Sequence, residues 1–519
     1  MRKCLYCLWL CFAVTPLFSQ IEWSTPPVTI STSNVNASHP EIAIDGSGNL
    51  VAVWIENNFV KASSMPVGGS FGSIATLSNS GASSPQVVMD PNGNATAIWA
   101  ENGAVKAATL PLNGSWSSST TLAALGASSP QIAVGSTGNL VAVWVSGGSI
   151  QTSKKAFGGS WSVLATTISG ANSDSPQVAM GDNGNIVVVW HSLVSGTHRI
   201  FSANKLFSGL VWSSALAVST PTQNSINPDI AVDSNGNAVA IWFRFNVSGV
   251  AYSSVVAQAS SQPMSGSWTT PVDLSVPGLY NPSRLVASVA YDGNGNAIAL
   301  WTNSTDGSTF EAEASIMPNG QQTWQSRSDF VTDLHVYAVE AAVTSAGDVF
   351  SLFMGSGPSN SLIIQGTDSH TSFRLGLWSA PVTVSQGTSN GYPRVAAVLS
   401  GVTNIAGAVW LNFDGTNTII QATTGTGTIF TAPSNLSVTQ SSTDYGVVVE
   451  YDNTLSWVDS DPNVQGYLIY RDGVFITQLS PDMTQFLDQN RGQNESVTYG
   501  VAAFDAQNNK SSTTTISFP

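Results

Sequence analysis

The 519-residue sequence contains very little cysteine and little charge. Its three cysteines, Cys4, Cys7 and Cys11, all lie near the N-terminus, so the rest of the chain can form no disulfide bond and offers no thiol nucleophile. Charged residues make up 9% of the chain, against about 25% in average globular proteins. The surface must therefore be covered mainly by Ser, Thr, Asn, Gln and Gly, as in many secreted β proteins.

Basic residues are especially scarce, because 16 Lys and Arg face 31 Asp and Glu, which gives a net charge of −15. A chain of this charge repels nucleic acid and anionic membrane, so neither is expected as a partner. No run of 18 apolar residues follows the N-terminal segment, and no membrane span is expected in the mature chain. The sequence also has no His-Glu-x-x-His motif and no phosphate-binding loop, so no cofactor and no metal are expected.

Residues 1–19 read as a signal peptide. Arg2 and Lys3 give a basic start, an apolar stretch extends to Phe18, and Ser19 ends a plausible cleavage site. An uncleaved membrane anchor is the alternative, but the apolar stretch is shorter than the roughly 20 residues that a span needs. We therefore expect the mature protein to be secreted or held at the cell surface.

The remainder of the chain is dominated by one repeated motif. The five clearest copies are PEIAIDGSGNLVAVW (40–54), PQVVMDPNGNATAIW (85–99), PQIAVGSTGNLVAVW (130–144), PQVAMGDNGNIVVVW (176–190) and PDIAVDSNGNAVAIW (228–242). A sixth copy ends at Trp301, a degenerate seventh has Phe353 in the Trp position, and an eighth with a short insertion ends at Trp410.

Each motif predicts two antiparallel strands joined by a tight Asn-Gly turn, and two further strands follow before the next copy. The spacing of 45 to 59 residues between successive Trp residues is typical of a propeller blade, which has about 40 to 50 residues. The sequence thus predicts an all-β fold, an eight-bladed β-propeller over residues 20–431. Seven blades are the alternative, because the weak seventh copy could be an insertion, and an array of β-sandwiches is a more remote one.

The N-terminal end of the repeat region predicts how the ring closes. Residues 22–31 match the pattern of a fourth strand but have no three strands of their own before them. We expect this segment to complete the last blade, whose first three strands come from about residues 393–424.

Residues 432–519 follow a different pattern, with Leu-Ser-Trp at 455–457, Gly-Tyr-Leu-Ile-Tyr-Arg-Asp-Gly at 466–473 and Thr-Tyr-Gly-Val at 498–501. This order resembles the fibronectin type III domain over about 90 residues. The resemblance implies a β-sandwich of seven strands, usually a spacer or adhesive module, with Trp457 in its core.

The repeats also resemble those of sialidases in general style, although the Asp lies in the first hairpin here. A sialidase would need an arginine cluster and a tyrosine nucleophile. Nothing in the spacing requires such roles of the residues that could be assigned to them, which are Arg199, Arg244, Arg284, Arg394, Tyr280 and Glu311. The Asp-x-Asn-Gly-Asn loops could in principle bind calcium, but the tight hairpin and the lack of a distal bidentate carboxylate favour plain turns.

Two groups of residues are candidates for ligand binding. One group follows the repeat Pro and is predicted to form a polar rim at the mouth of the channel, and the other lies in what we expect to be long loops after the fourth and fifth repeat Trp. The predicted binding residues are Glu41, Gln86, Gln131, Gln177, His191, His198, Arg199, Asp229, Arg244 and Arg394.

Without a catalytic motif, the sequence predicts a non-enzymatic binding or adhesion protein that presents this face to an extracellular glycan or protein, and we expect a monomer. A sialidase-like glycoside hydrolase or a lyase on the same scaffold is the first alternative. A structural repeat protein of the envelope is the second.

Overall fold

A computed structural model describes residues 22–519 except 249–250, 279–286, 307–308, 332–334, 357–360, 371–377, 380, 388, 401–402, 429–432, 448, 460–463, 505–510, 512 and 519. The predicted signal peptide, Tyr280 and Arg284 lie outside the described residues. The described chain is all-β, without an α-helix, and divides into two compact units, Ile21–Gly427 and Thr428–Pro519. No helix with the length and apolar character of a membrane span occurs in the described part.

The first unit contains eight antiparallel sheets in chain order, which we number 1 to 8. Two short strands precede them: β1 (Glu22–Trp23) and β2 (Val28–Thr29). Sheet 1 consists of β3 (Ala37–Ile44), β4 (Leu50–Glu56), β5 (Phe59–Met65) and β6 (Ala75–Thr76). Sheet 2 consists of β7 (Ala82–Met89), β8 (Ala95–Glu101), β9 (Ala104–Leu110) and β10 (Thr120–Ala123). Sheet 3 consists of β11 (Ala127–Val134), β12 (Leu140–Ser146), β13 (Ser149–Lys155) and β14 (Thr166–Thr167). Sheet 4 consists of β15 (Ser173–Met180), β16 (Asn185–Val194), β17 (Thr197–Leu206) and β18 (Leu216–Ala217).

The second half of this unit repeats the arrangement. Sheet 5 consists of β19 (Asn224–Val232), β20 (Ala238–Ser248), β21 (Ala251–Gln262) and β22 (Val272–Asp273). Sheet 6 consists of β23 (Ala287–Tyr291), β24 (Ala297–Asn303), β25 (Glu311–Met317) and β26 (Ser328–Val331). Sheet 7 consists of β27 (Val336–Val343), β28 (Asp348–Ser356), β29 (Leu362–His370) and β30 (Val382–Thr383). Sheet 8 contains β31 (Asn390–Ser400), β32 (Thr403–Phe413) and β33 (Thr418–Thr428).

Sheet 8 takes its outer strands from the N-terminal end of the unit. Trp23 of β1 pairs with Gly425 of β33, and Val28 of β2 pairs with Ala422. The first strand of each sheet contacts the first strand of the next, and β31 contacts β3. The eight sheets therefore form a closed ring like the blades of a propeller, with the first strands innermost, and the N-terminal segment completes the last sheet as the sequence predicts.

The repeat Trp residues lie between successive sheets. Trp99 packs against Val51 and Val53 of sheet 1, and Trp54 packs against Val409 and Ile420 of sheet 8. All seven described repeat Trp side chains are buried, and Phe353 is buried in their place in sheet 7. Since removing a core Trp side chain costs about 3–5 kcal/mol, these repeated aromatic residues hold neighbouring sheets together.

Where the repeat has an Asp at the start of the tight turn between the first two strands, that side chain stabilises the turn. In sheet 2, Oδ1 of Asp90 accepts backbone N–H groups of Asn92 and Asn94, each at 2.9 Å. Asp45 and Asp292 make the same contacts in sheets 1 and 6. The carboxylates of these three loops thus serve the turn itself, in line with the interpretation as turn chemistry.

The second unit has two sheets, one of order β34-β35-β38 and one of order β37-β36-β39-β40. Its strands are β34 (Ser434–Asp444), β35 (Val449–Val458), β36 (Gly466–Arg471), β37 (Val474–Leu479), β38 (Gln485–Arg491), β39 (Val497–Phe504) and β40 (Thr514–Phe518). Trp457 and Leu455 from one sheet pack against Tyr467, Ile469 and Tyr499 from the other. This unit is therefore two sheets around one core.

Candidate functional site

The innermost strands share a β-bulge next to the repeat Pro. In sheets 1 to 5 and sheet 8 the pairing register shifts at this point, for example between Ser83 and Gln86. The residue just before the Pro has a left-handed backbone in each case: His39 (φ 51°), Ser84 (49°), Ser129 (50°), Ser175 (51°), Asn227 (52°) and Tyr392 (48°). Because a bulge bends its strand and redirects the following side chain, the residue after the Pro points into the channel.

The eight innermost strands enclose a cavity of about 570 Å³ at this level. Each strand contributes the residue at one equivalent position, which follows the Pro in six sheets and lies four residues before the first residue of the tight turn in sheets 6 and 7. The eight residues, which we call the channel ring, are Glu41, Gln86, Gln131, Gln177, Asp229, Ser288, Glu340 and Arg394.

Six of the ten predicted binding residues line this cavity. They are Glu41, Gln86, Gln131, Gln177, Asp229 and Arg394. The structure thus brings together the predicted polar rim from widely separated parts of the chain, while the binding role of these residues stays a prediction.

The other four predicted residues lie away from the cavity, on strands rather than in the long loops expected from the sequence. His191 is on β16 and His198 is on β17, with their rings 5.3 Å apart. The Arg199 guanidinium lies 5.6 Å from the ring of Phe201. Arg244, on β20, forms an ion pair with Asp273 at 2.5 Å. The hairpins of sheets 4 and 5 are simply longer, so the residues that we assigned to loops extend the ladders.

Three of the four charged side chains of the channel ring are in contact with one another. Nε of Arg394 donates to Oε1 of Glu41 at 3.0 Å, and Nη1 of Arg394 lies 3.6 Å from Oε2 of Glu340. Gln86 donates its amide N–H to Glu41 at 3.3 Å. Asp229 instead accepts the backbone N–H of Val289 at 3.0 Å. Arg394 therefore holds two carboxylates from the two neighbouring sheets, and the third carboxylate is oriented by backbone.

The protein around the channel favours the neutral form of these carboxyl groups. Burial raises the pKa of Glu340 to about 7, since the lowering effect of Arg394 is smaller and the charges of Glu41 and Asp229 add to the rise. Burial also raises the pKa of Asp229 to about 6, although backbone N–H donors oppose it. For Glu41, burial raises the pKa against the opposing charge of Arg394.

The ring is nevertheless open to water, because the side chain of Glu340 keeps 27% of its surface exposed and that of Arg394 keeps 36%. Perturbed carboxyl groups that face a solvent-filled cavity are typical of general acids and bases in enzymes. This arrangement can donate and accept protons close to neutral pH.

Sequence reasoning missed Glu340 and Ser288. The sixth and seventh repeats have Ala287 and Val339 where the other copies have Pro, so a rule based on that Pro finds neither residue. Distance from the turn would have found both residues: Glu340 stands four residues before Thr344, as Asp229 stands four residues before Asp233.

A separate acidic cluster in sheet 6 comprises Glu311, Glu313 and Asp329, whose nearest oxygens lie within 4.8 Å of one another. Glu313 already accepts the indole N–H of Trp301 at 2.6 Å and an ion pair from Arg327 at 3.1 Å. Its carboxylate thus accepts from the repeat Trp of sheet 6, as Gln258 does in sheet 5, where the indole of Trp242 donates to it at 3.1 Å. We assign this cluster to the packing of the sheet.

No protein-family model matches the sequence, and a search of curated proteins gives no match. Solved structures do resemble this chain. The WD40 domain of SCAP from fission yeast is 11% identical, with 79% of this chain and 95% of that domain covered and a TM-score of 0.46. The Hadza microbial sialidase Hz136 is 11% identical, with coverages of 78% and 92% and a TM-score of 0.36. The polysaccharide lyase Uly1 is 10% identical, with coverages of 64% and 88% and a TM-score of 0.40.

These comparisons contradict the prediction of a non-enzymatic binding or adhesion protein. The similar structures are mostly carbohydrate-active enzymes, including the sialidase, the lyase and an α-L-arabinanase from Penicillium chrysogenum. The likeness is one of general fold at 10–12% identity, so it assigns neither a substrate nor a catalytic residue to this chain. The chemistry has to be argued from the channel ring itself.

Proposed function

We propose that the channel cavity is the active site of a glycoside hydrolase. The observation that carries this proposal is the channel ring, in which three carboxyl groups with raised pKa values surround one cavity of about 570 Å³. Hydrolysis of a glycosidic bond requires one carboxyl group that gives a proton and another that works as a carboxylate. Two groups with pKa values near 6 and 7 supply both forms together.

Glu340 is the general acid in this proposal. With a pKa of about 7 it still holds its proton in an appreciable fraction of molecules at neutral pH, and it donates that proton to the oxygen of the leaving sugar. Asp229, with a pKa of about 6, is mostly ionised at the same pH. It takes a proton from the water that attacks the anomeric carbon, so the bond to the leaving oxygen breaks as the bond to water forms.

Glu41 and Arg394 have positioning roles. Arg394 lies between Glu41 and Glu340, and its charge opposes the rise in the pKa of both carboxyl groups. Without this cation, the pKa of Glu340 would be higher still. The ion pair to Glu41 fixes the guanidinium in place.

A hydrolase fits the channel ring better than a lyase. Lyase chemistry on a uronic acid needs a cation to neutralise the sugar carboxylate, and Arg394 is the ring's one cation among the described residues. That cation is already paired with two carboxylates. Elimination therefore lacks an unpaired cation within the channel ring, whereas hydrolysis does not need one.

The test is a hydrolysis assay on a panel of aryl glycosides and polysaccharides. Glu340→Gln and Asp229→Asn should each lower kcat by roughly 10²–10⁴-fold, because each removes one proton-transfer group. Glu311→Gln is the control, since Glu311 lies outside the cavity, and it should hydrolyse at the wild-type rate. Full activity in folded Glu340→Gln would refute the assignment.

We further propose that the eight sheets are the blades of an eight-bladed β-propeller. The contact of each innermost strand with the next supports this count, and so does the separate sheet that the degenerate seventh repeat forms. Two sheets of three and four strands around Trp457 support a fibronectin type III-like module over residues 432–519.

We also retain the proposal of a secreted or surface-displayed monomer. Residues 1–19, with their basic start and apolar core, support it, and an extracellular glycan would be the corresponding substrate. Detection of the cleaved chain in the culture medium or on the cell surface tests this proposal.

A further inference from the structure

Tyr392 differs from the residues at the same position in the other bulges. It precedes Pro393 on β31, two residues before Arg394. Its equivalents in sheets 1 to 5 are small or polar and line the cavity: His39, Ser84, Ser129, Ser175 and Asn227. Tyr392 is 66% exposed and is not itself among the residues that line the cavity. Its position in the bulge is equivalent to theirs, so sheet 8 presents a large aromatic group next to the mouth of the channel.

The backbone of Tyr392 makes this choice unfavourable for folding. Its φ of 48° lies in the left-handed region, which bulky side chains seldom adopt and which costs of order 1–3 kcal/mol. Ser and Asn tolerate this conformation better, and four of the other bulges have one of them. Because the ring of Tyr392 is mostly in solvent, packing recovers little of that cost. An exposed, strained aromatic residue next to charged ring members indicates a role in binding.

The composition of the cavity lining indicates what the aromatic ring of Tyr392 would bind. Among the described lining residues there is no Phe, Tyr or Trp, whereas amides and carboxylates are frequent. A sugar has hydroxyl groups around its edge and a face of C–H groups. Gln131 and Gln177 can bond to the hydroxyls, but the apolar face needs an aromatic surface.

The charge of the channel ring restricts the sugar further. Three carboxyl groups face one arginine, which is already paired. An acidic sugar would meet repulsion from the carboxylates, and besides the paired Arg394 the described lining has one basic side chain, His39.

We propose that Tyr392 is the platform on which a neutral sugar unit of the substrate stacks at the mouth of the channel. This inference rests on the proposed hydrolase function and adds a substrate class, a neutral glycan, and a residue that selects it.

The experiment compares Tyr392→Ser with wild-type protein. Serine is the residue that sheets 2, 3 and 4 already have at this position, so the variant should fold. With aryl glycosides of neutral pentoses and hexoses, KM should rise about 10-fold while kcat changes less than twofold, because a lost stacking contact of roughly 1.4 kcal/mol is a tenfold loss of affinity. Tyr392→Phe should restore the wild-type KM, since it keeps the ring.

Tyr445→Ser is the matched control. Tyr445 belongs to the second unit and is 63% exposed, close to the exposure of Tyr392. Its loss should leave KM unchanged. An unchanged KM in Tyr392→Ser, or an equal rise in Tyr392→Phe, would overturn the platform.

Two further outcomes separate this inference from the function beneath it. Hydrolysis of glucuronides or sialosides alone would overturn the neutral substrate and leave the hydrolase standing. If no glycoside is hydrolysed, the hydrolase is refuted, and calorimetry with neutral oligosaccharides decides the rest. Binding that Tyr392→Ser weakens about 10-fold supports the platform, and binding that it does not weaken, or no binding at all, overturns it.

Discussion

The two halves of the channel ring share one backbone and differ in chemistry. Sheets 2, 3 and 4 contribute Gln86, Gln131 and Gln177, an arc of neutral amides. Sheets 5, 7, 8 and 1 contribute the charged arc, which consists of Asp229, Glu340, Arg394 and Glu41. The same bulge aims six of these seven side chains, and sheet 7 places Glu340 without it. The repeats therefore provide the scaffold, and departures from the repeat provide the charged side chains.

The strongest way to break this comparison, after loss of Glu340 or Asp229, is to remove the cation of the charged arc. Arg394→Gln should lower kcat/KM about 100-fold, because two carboxylates lose their shared partner. Since the charge of Arg394 lowers the pKa of Glu340, its loss should also move the alkaline limb of the pH–rate profile to higher pH.

The control for this variant is Arg244→Gln, which breaks an ion pair with Asp273 away from the cavity. Its activity should stay within twofold of wild type. Equal losses in the two variants would mean that Arg394 only supports the fold.

A smaller effect should appear in stability. The folded protein holds a proton on Glu340 up to about pH 7, whereas the ordinary pKa of this carboxyl is 4.5. Between these values the folded state binds more protons, so the free energy of unfolding contributed by this group falls as the pH rises from about 4.5 to 7. Water in the cavity limits the size to roughly 1–2 kcal/mol.

Denaturant titrations of wild type and Glu340→Gln at pH 4.5 and 7.5 measure this contribution. Glutamine does not titrate, so the variant should lose about that much less stability than wild type over the interval. The same pH dependence in both proteins would place the proton elsewhere.

The neutral arc should show the smallest effect. Gln131→Ala removes an amide that has no counterpart in the proton transfer, so KM should rise about 3- to 10-fold, the equivalent of one hydrogen bond, with kcat unchanged. A loss in kcat as large as that of Glu340→Gln would end the distinction between the two arcs.

Much of this architecture could be predicted from the sequence, because the motif states its own structure. Asn-Gly turns, the Trp spacing and the unmatched N-terminal strand predict four-stranded sheets and the closure through β33. The residues after the Pro were predicted as a polar rim since a ring places equivalent positions together.

The chemistry of the channel ring could not be predicted from the repeats, because it depends on positions where the sequence departs from the repeat. Glu340 lacks the preceding Pro, so the rule based on that Pro misses it, and its ion pair with Arg394 is seen only in the structure. The prediction that His191 and Arg244 lie in loops was wrong, since both are on strands. The number of residues after the repeat Trp does not show how far the strand pairing continues. A search for catalytic motifs could not find this group of residues, because its three carboxyl groups come from three sheets that are far apart in the sequence.

The pH dependence of kcat/KM tests the central claim most directly, because it reports the ionisations of the free enzyme. Asp229 must be ionised and Glu340 protonated, with pKa values of about 6 and about 7. The account predicts a narrow bell with its maximum between pH 6 and 7. A rate that is level from pH 5 to 8, or that only rises or only falls across this range, would contradict it.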